Sequence, residues 1–340
     1  MTTVLYRKYR PRGFEDVLGQ DHIVSVLKNA VKSGRVAHAY LFAGTRGTGK
    51  TSLARILAKE AGCADEDLLE IDAASSRGID EIRALREAVR FSPLRGKVKV
   101  YIIDEAHMLT KEAFNALLKT LEEPPAHAIF ILATTELEKV PETILSRCQN
   151  FSFRKIPENL LKKSITDIAE KEGFKIDDEA AGIVALMAEG SFRDSQRTLD
   201  QILSLGNKEI TGEMTREFLS VPARAIVENF IESVLDKDAE KGLEAIRLVA
   251  EKNINFAAFL KLLLRDIRSM ILLKHAPTMK KNIQDIHGEK EFAFLEKLKG
   301  QAKPGELEKA LKILLECCDS KNQSYLPQIP LELALLKILS

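Results

Sequence analysis

Eight consecutive residues, Gly44-Thr45-Arg46-Gly47-Thr48-Gly49-Lys50-Thr51, have the types and spacing of a phosphate cradle. Glycines at 44, 47 and 49 let the backbone turn tightly with its N–H groups inward, and a helix beginning near Lys50 adds the positive end of its dipole. In such a loop the Lys50 ammonium reaches β- and γ-phosphates and the Thr51 hydroxyl ligates Mg²⁺. The candidate nucleotide contacts run from Gly44 through Ser52, and the loop alone does not choose between ATP and GTP. A glycine-rich turn with a chance lysine is the plain alternative.

Hydrolysis needs more than a cradle, and the residues for it follow. Val98-Lys99-Val100-Tyr101-Ile102-Ile103-Asp104-Glu105 reads as a strand ending in two carboxylates. Asp104 would support Mg²⁺, which leaves Glu105 to polarise an attacking water as general base. Thr134-Thr135 closes the next apolar run, where a hydroxyl can sense a γ-phosphate. Two arginines have the planar fork that suits phosphate. Arg147 lies in Ser146-Arg147-Cys148, and Arg193 lies in Gly190-Ser191-Phe192-Arg193-Asp194. A solvent salt bridge is the ordinary reading of either arginine taken alone.

These groups have to be held by something, and the flanks of each have the right periodicity. Ala39 to Ala43 is a short apolar run before the loop, and after it Leu53, Ile56 and Leu57 recur at helical spacing. Strands are predicted near 39–43, 68–72, 98–103 and 128–133, separated by amphipathic segments, an alternation that implies a parallel sheet flanked by helices. One helix carries Ala113, Phe114, Leu117, Leu118 and Leu121 on a single face and is stopped by Pro124-Pro125. Beyond residue 155 the strand signal nearly vanishes. Helical periods cover 158–172, 178–188 and 192–205. After Pro222 come Ile226, Phe230, Val234, then Phe259, Leu262, Leu263, Ile267, and later Leu311, Leu314 and Leu315 on apolar faces. The expected organisation is an α/β section at 1–154, a small helical section at 155–220 and an all-helical section at 221–340.

The composition narrows the options further. A net charge of +1 over 340 residues excludes bulk charge as a driver of nucleic-acid binding, so any such contact must be organised locally. Cys63, Cys148, Cys317 and Cys318 show no CxxC spacing and are expected to be reduced, mostly buried thiols. The six histidines are scattered, so structural zinc is not expected. No leader pattern opens the chain and no apolar run approaches the ~20 residues of a membrane span, so a cytoplasmic location without membrane attachment is the expectation.

Taken in order, these motifs resemble a known family. Tyr9-Arg10-Pro11, Phe14, Asp16-Val17 and Gly19-Gln20 precede the loop; IIDEAHML at 102–109, LLKTLEEPP at 117–125, ATT, SRC and GSFRD follow it. Residues 5 to about 205 are similar to the γ/τ subunits of the bacterial DNA polymerase III clamp loader, and the helical remainder fits by length and pattern. The resemblance implies a P-loop AAA+ ATPase with a parallel-sheet domain, a helical lid and a helical collar that holds a five-subunit ring. It implies Lys50 and Thr51 as phosphate-loop residues, Asp104 and Glu105 as metal and base carboxylates, and Thr135 as the first sensor. Arg193 becomes the lid's sensor arginine in cis, and Arg147 the finger that reaches the ATP of a neighbouring subunit. Arg10, Pro11 and Val17 match the segment around adenine, which favours ATP over GTP.

Implied partners are the δ and δ′ subunits and further γ/τ copies through the collar, the β sliding clamp, and primed DNA in a bacterial, nucleoid-associated setting. Arg77, Arg83 and Lys119 are the DNA candidates; a solvated helix face, or pairing of Lys119 with Glu122 or Glu123, explains them as well. The sequence departs from many relatives in lacking a four-cysteine zinc module after the loop helix, where Cys63 stands alone. The extra τ domains that bind polymerase and helicase are expected to lie outside these residues. Two competing readings are a non-hydrolysing δ′-like stator, whose phosphate loop is usually degraded, and another AAA+ DNA remodeller.

Overall fold

The computed structural model describes residues 4–75, 78–320 and 326–340. The chain divides into two compact units, Met1–Leu161 with Ala188–Asp200, and Lys162–Met187 with Gln201–Ser340. The stretch expected as a middle section is therefore shared between them.

The first unit is built on five parallel strands, β1 (Ala39–Ala43), β2 (Leu68–Asp72), β3 (Lys99–Asp104), β4 (Ala128–Thr134) and β5 (Gln149–Ser152), in the order β2-β3-β4-β1-β5. Every residue of β1 and β4 is buried, as continuous apolar runs must be when helices cover both faces. The helices that accompany the sheet include α1 (Leu5–Lys8), α2 (Asp21–Lys32), α3 (Lys50–Glu60), α4 (Ile79–Val89), α5 (Lys111–Glu122) and α6 (Glu142–Leu145). The period of two sorts the strand residues cleanly. Leu41, Tyr101, Ile103, Phe130 and Leu132 face Ile82 and Leu85 of α4 and Phe114 and Leu117 of α5. Tyr40, Phe42, Ile102 and Ile131 face Ile23 and Leu27 of α2 and Leu53 and Leu57 of α3. Because all strands are parallel, their carboxyl ends share one edge, and the loops that follow β1, β3 and β4 open there.

Strand β5 has no counterpart among the predicted strands. It is four residues long, with Gln149, Asn150 and Ser152 exposed, so its apolar signal is faint. Register with β1, from Tyr40 opposite Gln149 to Ala43 opposite Ser152, brings Phe151 edge-on to Phe42 with ring centroids 5.9 Å apart. The α5 prediction holds closely: Thr110 Oγ1 accepts from the Ala113 N–H at 3.2 Å to start the helix, and Phe114, Leu117 and Leu121 are buried.

The second unit is helical. It takes most of α7 (Glu158–Lys171), all of α8 (Asp178–Met187), only the last turn of α9 (Phe192–Leu203), and α10 (Gly212–Phe218), α11 (Arg224–Asp236), α12 (Ala239–Glu251), α13 (Phe256–His275), α14 (Lys280–Leu298), α15 (Glu306–Ser320) and α16 (Ile329–Leu339). Helices α7 and α9 begin among residues of the first unit. One small parallel pair, β6 (Lys175–Ile176) with β7 (Glu209–Ile210), interrupts the helices, and two-residue strands are too short for sequence periodicity to register. Phe230 and Phe259 pack edge to face at 5.7 Å in the core with Val227, Ile246, Leu263 and Leu314. Leu315, expected on the apolar face, is instead 51% exposed, because Leu314 takes the inward position of that turn.

Charge is buried in the same unit. Asp266 is fully buried and accepts from Arg224 Nη1, with Arg265 Nε at 3.3 Å. Arg265 also donates to Glu291 at 2.9 Å, and Arg216 binds Glu179 at 2.8 Å and the Pro222 carbonyl at 2.8 Å. Burial works to raise the Glu291 pKa, but His287, Arg265 and Arg224 outweigh it and bring the carboxyl down to about 2. Among the cysteines whose side chains are described, Cys317 is buried, while Cys63 and Cys148 are only half-buried.

Candidate functional site

The loop that leaves β1 enters α3 through Gly49, and its backbone is wedged between neighbours. Gly44 has φ +151 and donates to the Thr134 carbonyl at 3.1 Å, and a Cβ there would meet the Phe153 carbonyl at 2.6 Å. Gly47 has φ +77, and its missing Cβ is the space taken by Ser191 Oγ. Any side chain at either position would force the loop open, so glycine is required twice over, by conformation and by close approach. Thr48 Oγ1 closes the turn on the Thr45 carbonyl at 2.8 Å, while Thr45 and Arg46 are exposed.

Lys50, at the first position of α3, is 7% exposed and donates to the carbonyls of Gly44 at 2.7 Å and Thr45 at 3.0 Å. Its ammonium therefore lies over the loop itself. Burial lowers its pKa, against the pull of Glu105 and Asp104. Thr51 Oγ1 donates to Asp104 Oδ2 at 2.7 Å, which unites the two residues expected to hold Mg²⁺. Among the described residues no group of three or more His, Cys, Asp or Glu side chains could hold a metal ion, so this pair offers two oxygens of the hard kind and no more. Asp104 Oδ1 accepts from the Glu105 N–H at 3.0 Å, and Thr135 Oγ1 donates to Glu105 Oε2 at 3.2 Å. Glu105 is one of the few non-glycine residues in the left-handed region, at φ 49.

Arg10 Nε donates to Ser52 Oγ at 3.1 Å; burial and the nearby Arg55 lower its pKa, against Glu70 and Asp104. Pro11 is half-buried, and Val17 packs against the cluster that contains Phe14, Ile23 and Phe42. Helix α9 starts directly on the loop. The Phe192 N–H donates to the Gly47 carbonyl at 3.0 Å, and the Arg193 guanidinium lies over the Tyr6 ring, 5.2 Å from its centroid.

Arg147 is engaged elsewhere. Its guanidinium donates to Glu122 Oε1 at 2.6 Å and to the Thr143 carbonyl at 2.8 Å. Glu122 thus pairs with Arg147, and Lys119 shares an open cleft of about 480 Å³ with Arg86, Arg90 and Glu123. Arg83 is exposed on α4. Arg77 lies outside the described residues.

Two residues without an assigned role in the sequence reading belong to the site's construction. Gln20 is fully buried and donates to the carbonyls of Arg154 at 2.8 Å and Thr48 at 3.4 Å, so it ties the loop to the segment after β5. His107, two residues past Glu105, contacts Thr134 Oγ1 at 3.1 Å and Glu136 Oε1 at 3.2 Å. The only sequence signal for either was its place inside a recognised motif.

A glycine loop after the first strand of a parallel sheet, with a later helix laid across it, is the plan of the AAA+ P-loop proteins. Solved structures of Thermotoga maritima RuvB, a Holliday junction branch migration motor, share this fold with a TM-score of 0.53 at 22% identity, over 67% of this chain and 79% of theirs. Residues 19–74 and 65–157 match the family profile described as DNA polymerase III, delta subunit, and residues 210–340 match DNA polymerase III subunits gamma and tau domain III. The gamma subunit of Buchnera aphidicola subsp. Baizongia pistaciae is 37% identical over 82% of this chain and 81% of its own length. The tau subunit of Bacillus subtilis is 38% identical over 98% of this chain, which spans 62% of that protein, and the Escherichia coli tau subunit is 37% identical over 81% of this chain and 46% of its own. The chain belongs to the DNA polymerase III gamma/tau family. No helix among the described residues is long and apolar enough to cross a membrane.

Proposed function

We propose that this chain is the ATP-hydrolysing motor subunit of a cytoplasmic, bacterial DNA polymerase III clamp loader. In this reading residues 1–154 form the ATPase domain, 155–220 the lid and 221–340 the collar that assembles with δ, δ′ and further copies of the chain. The observation that carries it is the pair of contacts Thr51–Asp104 and Thr135–Glu105 beside a buried Lys50. A stator that only lends an arginine to a neighbour has no use for an intact hydrolytic set.

In the mechanism Lys50 would exchange the carbonyls of Gly44 and Thr45 for β- and γ-phosphate oxygens, and the loop N–H groups would take the remaining negative charge. Thr51 and Asp104 would hold Mg²⁺, which when bound neutralises charge building on the phosphates. Glu105 orients and polarises the attacking water, and Thr135 senses the γ-phosphate through the same carboxylate. Arg193 exchanges the Tyr6 face for phosphate, which would carry α9 with it. Arg147 leaves Glu122 to complete the site of a neighbouring subunit. Arg10, Pro11 and Val17 select adenine. Differential affinity for ATP and ADP then drives opening of the sliding clamp and its closure on primed DNA, with Arg77, Arg83 and Lys119 offered to phosphates.

The test is steady-state ATP hydrolysis with partner subunits, clamp and primer–template added stepwise. A slow basal rate that rises only when all are present is the expected result. A rate indifferent to clamp and DNA would overturn the loader assignment.

A further inference from the structure

His107 sits in the short turn Ala106–Met108, which Glu105 begins from its left-handed backbone conformation. Its side chain is 6% exposed, and a buried imidazole without partners is costly; here Nδ1 has a hydrogen-bond partner and Nε2 a carboxylate beside it. Nε2 lies 3.2 Å from Glu136 Oε1, a charge contact rather than a hydrogen bond. Nδ1 faces Thr134 Oγ1 at 3.1 Å and lies 3.6 Å from Glu105 Oε2. Thr134 ends β4 and Glu136 lies two residues beyond it, so the two flank Thr135, the residue that donates to Glu105. Glu136 is held in turn by Lys139 at 2.7 Å.

We infer that His107 is a positioning residue for Glu105: it fastens the turn that carries the base to the end of β4 through Thr134 and Glu136. Glu105 is otherwise at the start of a three-residue turn, in a backbone conformation that relaxes unless its surroundings hold it. The ring and the Thr135 hydroxyl both approach Glu105 Oε2, at 3.6 and 3.2 Å, so the carboxylate is flanked by the strand end directly and by the ring anchored to it. A rigid base needs no reorganisation when the water is attacked, and that is where the gain in rate arises. The inference rests on the proposed role of Glu105 as base.

The experiment compares His107→Ala, His107→Gln and Glu136→Gln in the full-length protein within its reconstituted loader. It measures single-turnover hydrolysis at saturating ATP, affinity for a fluorescent ATP analogue and melting temperature. His107→Ala should lose about tenfold in rate with affinity held within about twofold, and Glu136→Gln about threefold in rate. His107→Gln, whose amide can still hydrogen-bond the Thr134 hydroxyl, should recover most of the loss. In Glu136→Gln the ring ¹⁵N resonances of His107 should also move, as Nε2 loses its charged partner.

An unchanged rate in His107→Ala overturns the inference. So does an equal loss of rate and affinity, or no recovery in His107→Gln, either of which makes His107 a space-filling core residue. If His107→Ala does not fold, an unchanged rate in Glu136→Gln overturns it instead. Glu105→Gln is run alongside: full activity there overturns the base assignment itself, while an inactive Glu105→Gln beside a fully active His107→Ala overturns only the role given to His107.

Discussion

Lys50 in the loop and Asp266 in the helical unit are both charged and both out of water, but their partners differ in kind. Lys50 rests on two backbone carbonyls of its own loop, neutral acceptors that a phosphate outcompetes. Asp266 lies against the guanidinium groups of Arg224 and Arg265, fixed opposite charges with no reason to let go. The same contrast runs through each region. Arg193 on the Tyr6 ring and Arg147 on the half-exposed Glu122 are weakly committed, whereas Arg216, Arg265 and Glu291 are mutually neutralised. Charge left with exchangeable partners, buried at Lys50 and partly or wholly in water at Arg147 and Arg193, marks the place where a ligand is expected, and buried charge held by opposite charge marks a joint that holds helices together.

The contrast can be broken most forcefully at Arg147. Arg147→Ala should abolish stimulated hydrolysis in the assembled loader by about 10³-fold while ATP binding to each subunit, followed by fluorescence, is retained. Unchanged stimulated turnover would show that Arg147 is an ordinary surface residue with a salt bridge. Asp266→Ala, in the other region, should cost about 3–5 kcal/mol of folding free energy in chemical denaturation, because two buried guanidinium groups lose their counter-charge. A cost under about 1 kcal/mol would mean that this network is as replaceable as a surface pair.

Lys50→Met separates the two roles of buried charge within one side chain. Burial lowers the Lys50 pKa, so folding disfavours its charged form, and the variant should melt no lower than the parent while losing about 10²-fold or more in turnover. A clear fall in melting temperature would place Lys50 with the structural charges after all.

The smallest effect is expected from acid. Glu291 has a folded pKa of about 2 against an ordinary 4.5, so its contribution to stability is complete above pH 4.5 and is lost as pH falls from there toward 2. Glu291→Gln should flatten the stability profile in that window in urea denaturation measured at several pH values. An identical slope in parent and variant would remove Glu291 from the joint.

Much of the first unit was legible in the residues because its signals are local. The loop is eight contiguous residues, the strands are runs of apolar side chains, and α5 announces itself by spacing and a terminal Pro-Pro. Strand β5 escaped because three of its four residues face solvent, and β6 and β7 because two residues make no pattern. In the helical unit the apolar faces were visible, yet nothing in the spacing of Asp266, Arg224, Arg265 and Glu291 announced that they meet; residues 42 and 67 positions apart become partners only through helix packing. The roles of Gln20 and His107 were hidden for the same reason, since their partners at Arg154 and Thr134 come from other strand ends.

The sequence by itself determined the kind of chemistry this chain supports, because a phosphate cradle depends on backbone torsions and on residue types within a few positions of each other. It also determined the alternation of elements, since burial on one or two faces is written into hydrophobic period. Tertiary structure alone decided which groups are joined: Thr51 to Asp104, Thr135 to Glu105, Ser191 into the space beside Gly47, and His107 across to Thr134. The physical reason is range. Torsional preference and periodicity act along the chain, whereas a hydrogen bond forms only within a few ångströms in space, and which distant residues come that close is settled by how the sheet and helices pack.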